Sequence, residues 1–163
     1  MAVLGLPLLA LAEDFSGSWV QDPKSDRVPE PMWLTSVTPN GRGGRGGGSG
    51  GRGSAADGMT VKQEANSFQI NDVMGGVRKY TLDGKATTQK TETFMGQAAV
   101  TAKMEGDNLV IATSRPYGGM PGNVTLQISE VWSLSADGKV LTITTTHDSP
   151  AVKKLYEQTY NRR

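Results

Sequence analysis

The sequence predicts an all-β protein: an antiparallel up-and-down meander of about ten strands, rolled into a closed or nearly closed barrel. Three observations carry that prediction. From Phe15 onward, apolar residues alternate with polar ones instead of recurring at helical spacing. Turn signals built on Gly, Asp and Asn punctuate the chain at intervals of roughly ten residues. No segment reads as an amphipathic helix, since Ala151–Gln158 has room for little more than a turn. Many antiparallel strands in succession must hide their edges, and closing on themselves achieves this. A two-sheet β-sandwich is the alternative architecture. The lack of helices argues against α/β folds, and so against most nucleotide-dependent enzymes.

The elements follow in chain order. Met1–Ala12 is an uncharged apolar run, ending Ala10-Leu11-Ala12 before Glu13 and Asp14. It reads as a signal peptide cut after Ala12, although no basic residue precedes the run, and a buried N-terminal strand or helix is the other reading. It is too short to span a bilayer, which takes about 20 apolar residues. Residues 13–163 then form a single domain. Ser16–Val20 and Trp33–Val37 read as strands. Asn40–Gly58, which holds ten of the chain's 21 glycines, reads as a flexible, solvated Gly/Arg-rich loop. A turn at Ala65-Asn66 sets Val61 against Ile70 and Gln63 against Phe68. Asp83-Gly84 and Met95-Gly96 flank a mostly polar strand, Ala86–Phe94, whose inward face the pattern leaves unassigned.

Further on, Gly106-Asp107 sets Met104 against Leu109 and Ala102 against Ile111. The clearest hairpin is Val124–Leu134 with Lys139–His147, joined at Asp137-Gly138. A two-residue turn there pairs Ala136 with Lys139, Leu134 with Leu141 and Trp132 with Ile143. A slip of one residue splits the apolar set across both faces, which a half-buried sheet resists. Leu155–Asn161 is the last strand.

Composition removes several chemistries. The chain has no cysteine, so disulfides, thiolate metal sites and thiol nucleophiles are excluded, and its single histidine, His147, rules out a two-histidine metal site. A formal net charge of +1 gives no field that predicts a nucleic-acid partner. Arg42, Arg45 and Arg52 in the glycine-rich stretch satisfy a loose G-x-G-x-x-G pattern. No strand–helix context or P-loop lysine accompanies it, and no aromatic residue interleaves the arginines. These three arginines are candidate contacts to an acidic partner surface. Tyr117–Gly122 is mainly turn chemistry that can flank a cavity mouth. Asn123-Val124-Thr125 matches a glycosylation sequon and is read as coincidence.

Phe15-Ser16-Gly17-Ser18-Trp19, followed by Lys24-Ser25 and a proline, resembles the opening of small exported bacterial lipocalin-like proteins. Leu82–Lys85, Gly106–Ile111 and Trp132–Lys139 are similar to later segments of that group. The resemblance covers most of Phe15–Arg163 outside the glycine-rich stretch. It implies a calycin-type barrel and ligand binding, without naming a ligand. It also implies that Gly17 and Trp19 sit at the closed end, with Arg162 or Arg163 packing across the tryptophan.

One position stands out in the hairpin register. Val124, Leu126, Ile128, Trp132 and Leu134 share a face with Glu130, which opposes Thr145 and lies diagonal to His147. A carboxylate within an apolar face costs several kcal/mol unless it is paired or protonated. Glu130 therefore either orients a ligand in a cavity or is satisfied structurally, by Thr145 or by an arginine such as Arg78 or Arg115. His147-Asp148 with Glu130 is a poor metal set, and no metal or cofactor is expected. No nucleophile elbow or second acid opposite Glu130 appears, so no catalytic residue is assigned.

The expected function is non-enzymatic: an exported barrel, periplasmic or extracellular, that binds a small apolar or amphipathic ligand. Glu130, Trp132, Ile128, Ile143, Thr145, His147, Ile111 and Val100 are the candidate ligand-binding residues. The alternative is an interaction protein that docks on a larger envelope or membrane-associated assembly.

Overall fold

The computed structural model describes residues 13–26, 58–72, 76–90, 97–116, 125–150 and 153–163. Trp33–Val37, the Gly/Arg-rich stretch with Arg42, Arg45 and Arg52, Tyr117–Gly122 and the turn at Met95-Gly96 lie outside the described residues. Within them the protein is all β, with ten strands and no helix. These are β1 (Gly17–Gln21), β2 (Gly58–Glu64), β3 (Ser67–Asp72), β4 (Val77–Thr81), β5 (Thr87–Lys90), β6 (Gln97–Glu105), β7 (Asn108–Pro116), β8 (Thr125–Leu134), β9 (Val140–Asp148) and β10 (Lys153–Arg162).

All ten belong to one antiparallel sheet, ordered β4-β3-β2-β1-β10-β9-β8-β7-β6-β5. Chain neighbours pair at every step except β4 to β5, and the first strand pairs with the last, Trp19 opposite Arg162. The join missing from a closed cylinder is β4 to β5, so the sheet curls into an open half-barrel with these two strands as its edges. The edges meet where the chain links them. There Leu82 N–H donates to the Asn66 carbonyl and Gly84 N–H to the Ala102 carbonyl, both at 3.0 Å. Farther along, the Gln89 side-chain amide makes a long 3.5 Å contact to the Lys79 carbonyl in place of a ladder.

The registers follow from the alternation. Val61 opposes Ile70, Ala102 opposes Ile111, and Trp132 opposes Ile143. The β8–β9 connection departs from the two-residue turn. Ser135 N–H donates to the Val140 carbonyl and Gly138 N–H to the Ser135 carbonyl, at 2.8 and 2.7 Å, so the Ala136–Lys139 pair gives way to a four-residue loop. Asp137 holds that loop, with Oδ1 accepting the Ser135 hydroxyl at 2.6 Å and the Lys139 N–H at 3.1 Å. The pairing of the flanking strands is unchanged, because the apolar faces fix it. The segment Ala151–Gln158, considered for a helical turn, contributes its described part to β10.

The topology separates two ends. The compact connections β2–β3, β4–β5, β6–β7 and β8–β9 lie at one end, and β1–β2, β3–β4, β5–β6, β7–β8 and β9–β10 connect at the other. The compact-turn end is filled with aromatics. Phe15, just before β1, is fully buried and meets Phe68 and Trp132 edge-on, with ring centres 6.2 and 6.5 Å apart. Phe68 and Trp132 meet edge-on at 5.3 Å. Phe15 is tied down from both sides. Its N–H donates to Gln63 Oε1 at 3.0 Å, and its carbonyl accepts the Trp19 indole N–H at 2.9 Å. The inward polar residue Gln63 is thereby satisfied by the segment it anchors, its amide also donating to the Glu13 carbonyl at 3.0 Å.

Candidate functional site

Residues whose side chains share the concave face follow from the register. On β8 and β9 these are Leu126, Ile128, Glu130, Trp132 and Leu134, with Leu141, Ile143, Thr145 and His147 opposite. β7 adds Leu109, Ile111, Thr113 and Arg115, β6 adds Ala98, Val100, Ala102 and Met104, and β4 adds Arg78 and Tyr80. The face therefore changes character along its length, from aromatic at the compact-turn end, through aliphatic, to polar toward the other end.

Glu130 sits at the boundary. Its Oε2 accepts the Trp132 indole N–H at 3.1 Å. Arg78 Nη1 lies 3.5 Å from Oε1, with the glutamate side chain 16% and the arginine 29% exposed. Arg78, one of the partners weighed from the sequence, is therefore in an ion pair with Glu130. The indole N–H was not anticipated, although residues two apart on one strand share a face. Thr145, opposite Glu130, is buried.

His147, opposite Ile128, packs against Tyr156 with ring centres 5.2 Å apart. Burial first, and then the positive charge of Arg115, hold the imidazole below its ordinary pKa, while Glu130 pulls the other way. Burial pushes the Tyr80 hydroxyl up, against the nearby Arg78 charge. Arg78, Glu130, Tyr80, Arg115 and His147 thus form one electrostatically connected layer.

The other predicted ligand-binding residues are core residues. Trp132, Ile111, Val100 and Ile143 belong to the main apolar cluster, all at most 4% exposed, and Ile128 is also buried. A concavity of about 210 Å³ lies elsewhere, among Ser18, Trp19, Val20, Gly58, Met59, Thr60, Asn71, Asp72 and Arg163. That is below the roughly 300 Å³ at which drug-sized ligand sites begin. Among the described residues, no three acidic or histidine side chains gather to hold a metal ion. Among the described residues there is no helix long and apolar enough to cross a membrane.

The three residues tied to the opening motif come together. The Arg162 guanidinium lies over the Trp19 ring, 4.6 Å from its centre. Gly17 adopts φ +144°, a backbone region side chains rarely enter, and a Cβ there would sit 3.9 Å from Arg162 and from the Trp19 indole nitrogen. Arg162 Nη2 also donates to the Asp14 carbonyl at 3.3 Å.

Two contributors had only faint signals in the sequence. Tyr80 lies on Val77–Thr81, a strand that alternation alone does not reveal because it turns Arg78 and Tyr80 inward and leaves Val77 exposed. Phe15 lies outside any strand, and only its position beside Gly17 and Trp19 hinted at a role. Comparison with known proteins gives no assignment: no protein-family model and no curated protein matches the chain.

Proposed function

We propose that this is a non-enzymatic, exported, lipocalin-like binding protein that holds a small amphipathic ligand on the concave face of its half-barrel. The carrying observation is the layer around Glu130: a paired carboxylate, two guanidinium groups, a tyrosine and a histidine set on the rim of an apolar core. Polar groups in such a setting orient a ligand's polar end, while the neighbouring aliphatic surface accepts its apolar part. Ile128, Leu126 and Thr113 supply that surface beside the layer. The apolar run at Met1–Ala12 supports export to the periplasm or the cell exterior.

A second reading has its own support. The deeper interior is filled by side chains, which favours a solid barrel that docks on an envelope or membrane-associated assembly. Native mass spectrometry of protein recovered from its own cell envelope separates the two. A co-purifying small molecule, lost in Glu130→Gln, supports ligand binding, and a stable protein complex with no small molecule supports docking.

A further inference from the structure

Among the described residues, the seam between β4 and β5 leaves two strand edges without a neighbour in the sheet. On β4 the groups at that edge can be assigned residue by residue. The β3–β4 ladder is bracketed by Leu82 N–H on the Asn66 carbonyl at 3.0 Å and Asp72 N–H on the Gly76 carbonyl at 2.9 Å. Bonded pairs recur at every second residue of an antiparallel ladder, so the backbones of Arg78 and Tyr80 bond to Ile70 and Phe68 of β3. Val77, Lys79 and Thr81 therefore aim their backbone groups at the seam, and all three residues are exposed. What meets them there is a side chain, the Gln89 amide, 3.5 Å from the Lys79 carbonyl. An edge with unmade backbone bonds is a template for another strand.

The side chains beside this edge define the strand that fits it. Val77, Lys79 and Thr81 turn to the outer face of the sheet, away from the concave-face layer. Val77, 39% exposed, is one of two large hydrophobic residues left exposed among the described residues. Lys79 stands opposite Gln69, whose amide is turned to Asn71 Oδ1 at 2.8 Å. With Ser67, these residues make the outer face of β3 free of acids. Lys79 and the exposed Lys85 past the turn form no ion pair among the described residues. Asp83, the acid of that turn, accepts the Lys85 N–H through Oδ1 at 2.9 Å. A second copy of the chain is a poor occupant. An antiparallel pair of β4 strands centred on each other sets Lys79 against Lys79, and like charges directly opposite are destabilising, whereas a carboxylate in that place is stabilising.

We infer that the β4 edge binds an extended acidic peptide segment of a partner protein, added antiparallel as a further strand, with an acidic residue opposite Lys79. A backbone N–H of the incoming strand replaces the Gln89 amide on the Lys79 carbonyl. The edge and its outer side chains are separate from the concave-face layer, so neither kind of binding requires the other.

The test titrates the full chain with peptides blocked at both ends: acidic TEVEVEVT, basic TKVKVKVT, and the acidic peptide N-methylated at its glutamates. Calorimetry reads affinity, and amide hydrogen exchange reads the place of contact. The expected result is binding of the acidic peptide with new protection at the Val77, Lys79 and Thr81 amides, and no binding of its N-methylated form. Lys79→Glu weakens the acidic peptide by at least about fivefold and makes the basic peptide the tighter ligand. Lys79→Arg keeps the acidic preference, and an unchanged melting temperature in both variants separates the charge from a folding defect. Equal binding of acidic and basic peptides overturns the charge assignment. Binding without protection at those three amides, or binding that N-methylation leaves intact, overturns the edge as the site. Protection that rises with protein concentration in the absence of peptide shows a second copy as the occupant and overturns the partner assignment. Failure of the acidic peptide to bind overturns the proposal, whether or not a small molecule occupies the concave face.

Discussion

Phe15→Ala should destabilise the protein by about 3–5 kcal/mol, the usual cost of truncating a buried phenylalanine. The reasoning starts from its position. Phe15 is fully buried although it precedes the first strand, and it makes two of the three edge-on contacts in the aromatic cluster. Each such contact contributes about 0.5–1.5 kcal/mol beyond area burial, and that share is contained in the total. The alanine variant keeps its backbone, so the bonds to Trp19 Nε1 and Gln63 persist and the loss reports the side chain alone. Deleting Glu13–Phe15 removes those bonds too and should add about 1 kcal/mol for each. Urea unfolding at 25 °C, followed by tryptophan fluorescence, gives the free-energy difference at constant slope. For a chain of this length the melting temperature should fall by roughly 10 °C. A loss below about 1 kcal/mol would refute the view that Phe15 closes the compact-turn end.

Other perturbations test other parts. Glu130→Gln keeps an acceptor for the Trp132 indole but removes the charge facing Arg78; because both side chains are partly exposed, a loss of about 1–2 kcal/mol is expected in thermal melts, below the range for fully buried pairs. Since His147 has a lowered pKa when folded, the unfolded chain binds its proton at higher pH. Stability should therefore fall as pH drops through about 6.5 and level off below the folded value. His147→Gln should flatten that part of a stability–pH curve, and an unchanged slope would show that this imidazole is not responsible. Gly138 has φ +66° with open space where a Cβ would go, so Gly138→Ala should cost about 1–2 kcal/mol from backbone conformation alone, and an unchanged midpoint in urea would contradict that.

Most of the sheet was legible because burial on one face makes alternation and register the same information. Val61 with Ile70, Ala102 with Ile111 and Trp132 with Ile143 could be paired on paper for that reason. β4 was not legible, since Arg78 and Tyr80 occupy inward positions that an alternation rule assigns to apolar residues. The same inversion hides half of the candidate site, because the polar layer is assembled from β4, β7, β8 and β9. Glu130 was legible as an anomaly within an apolar face, and its arginine as one of two candidates. The contact of Arg78 with Glu130 needed the curl of the sheet, which brings β4 round to face β8. The four-residue loop Ala136–Lys139 was missed because Asp137 stabilises it through side-chain bonds that a dipeptide turn signal does not encode.

The pairing of β1 with β10 has a consequence for chain connectivity. Spatial order and chain order differ at one place only: the sheet is continuous between the first and last strands, whereas the covalent link between β4 and β5 spans the open seam. Residues near the two ends already touch, with Arg163 N–H on the Ser18 carbonyl at 2.9 Å. A circular permutant joined there and cut between Leu82 and Ala86 would run from β5 to β4 with every ladder formed between sequence neighbours. Its longest loop closure would disappear, so it should fold faster than the natural order at little cost to the native sheet.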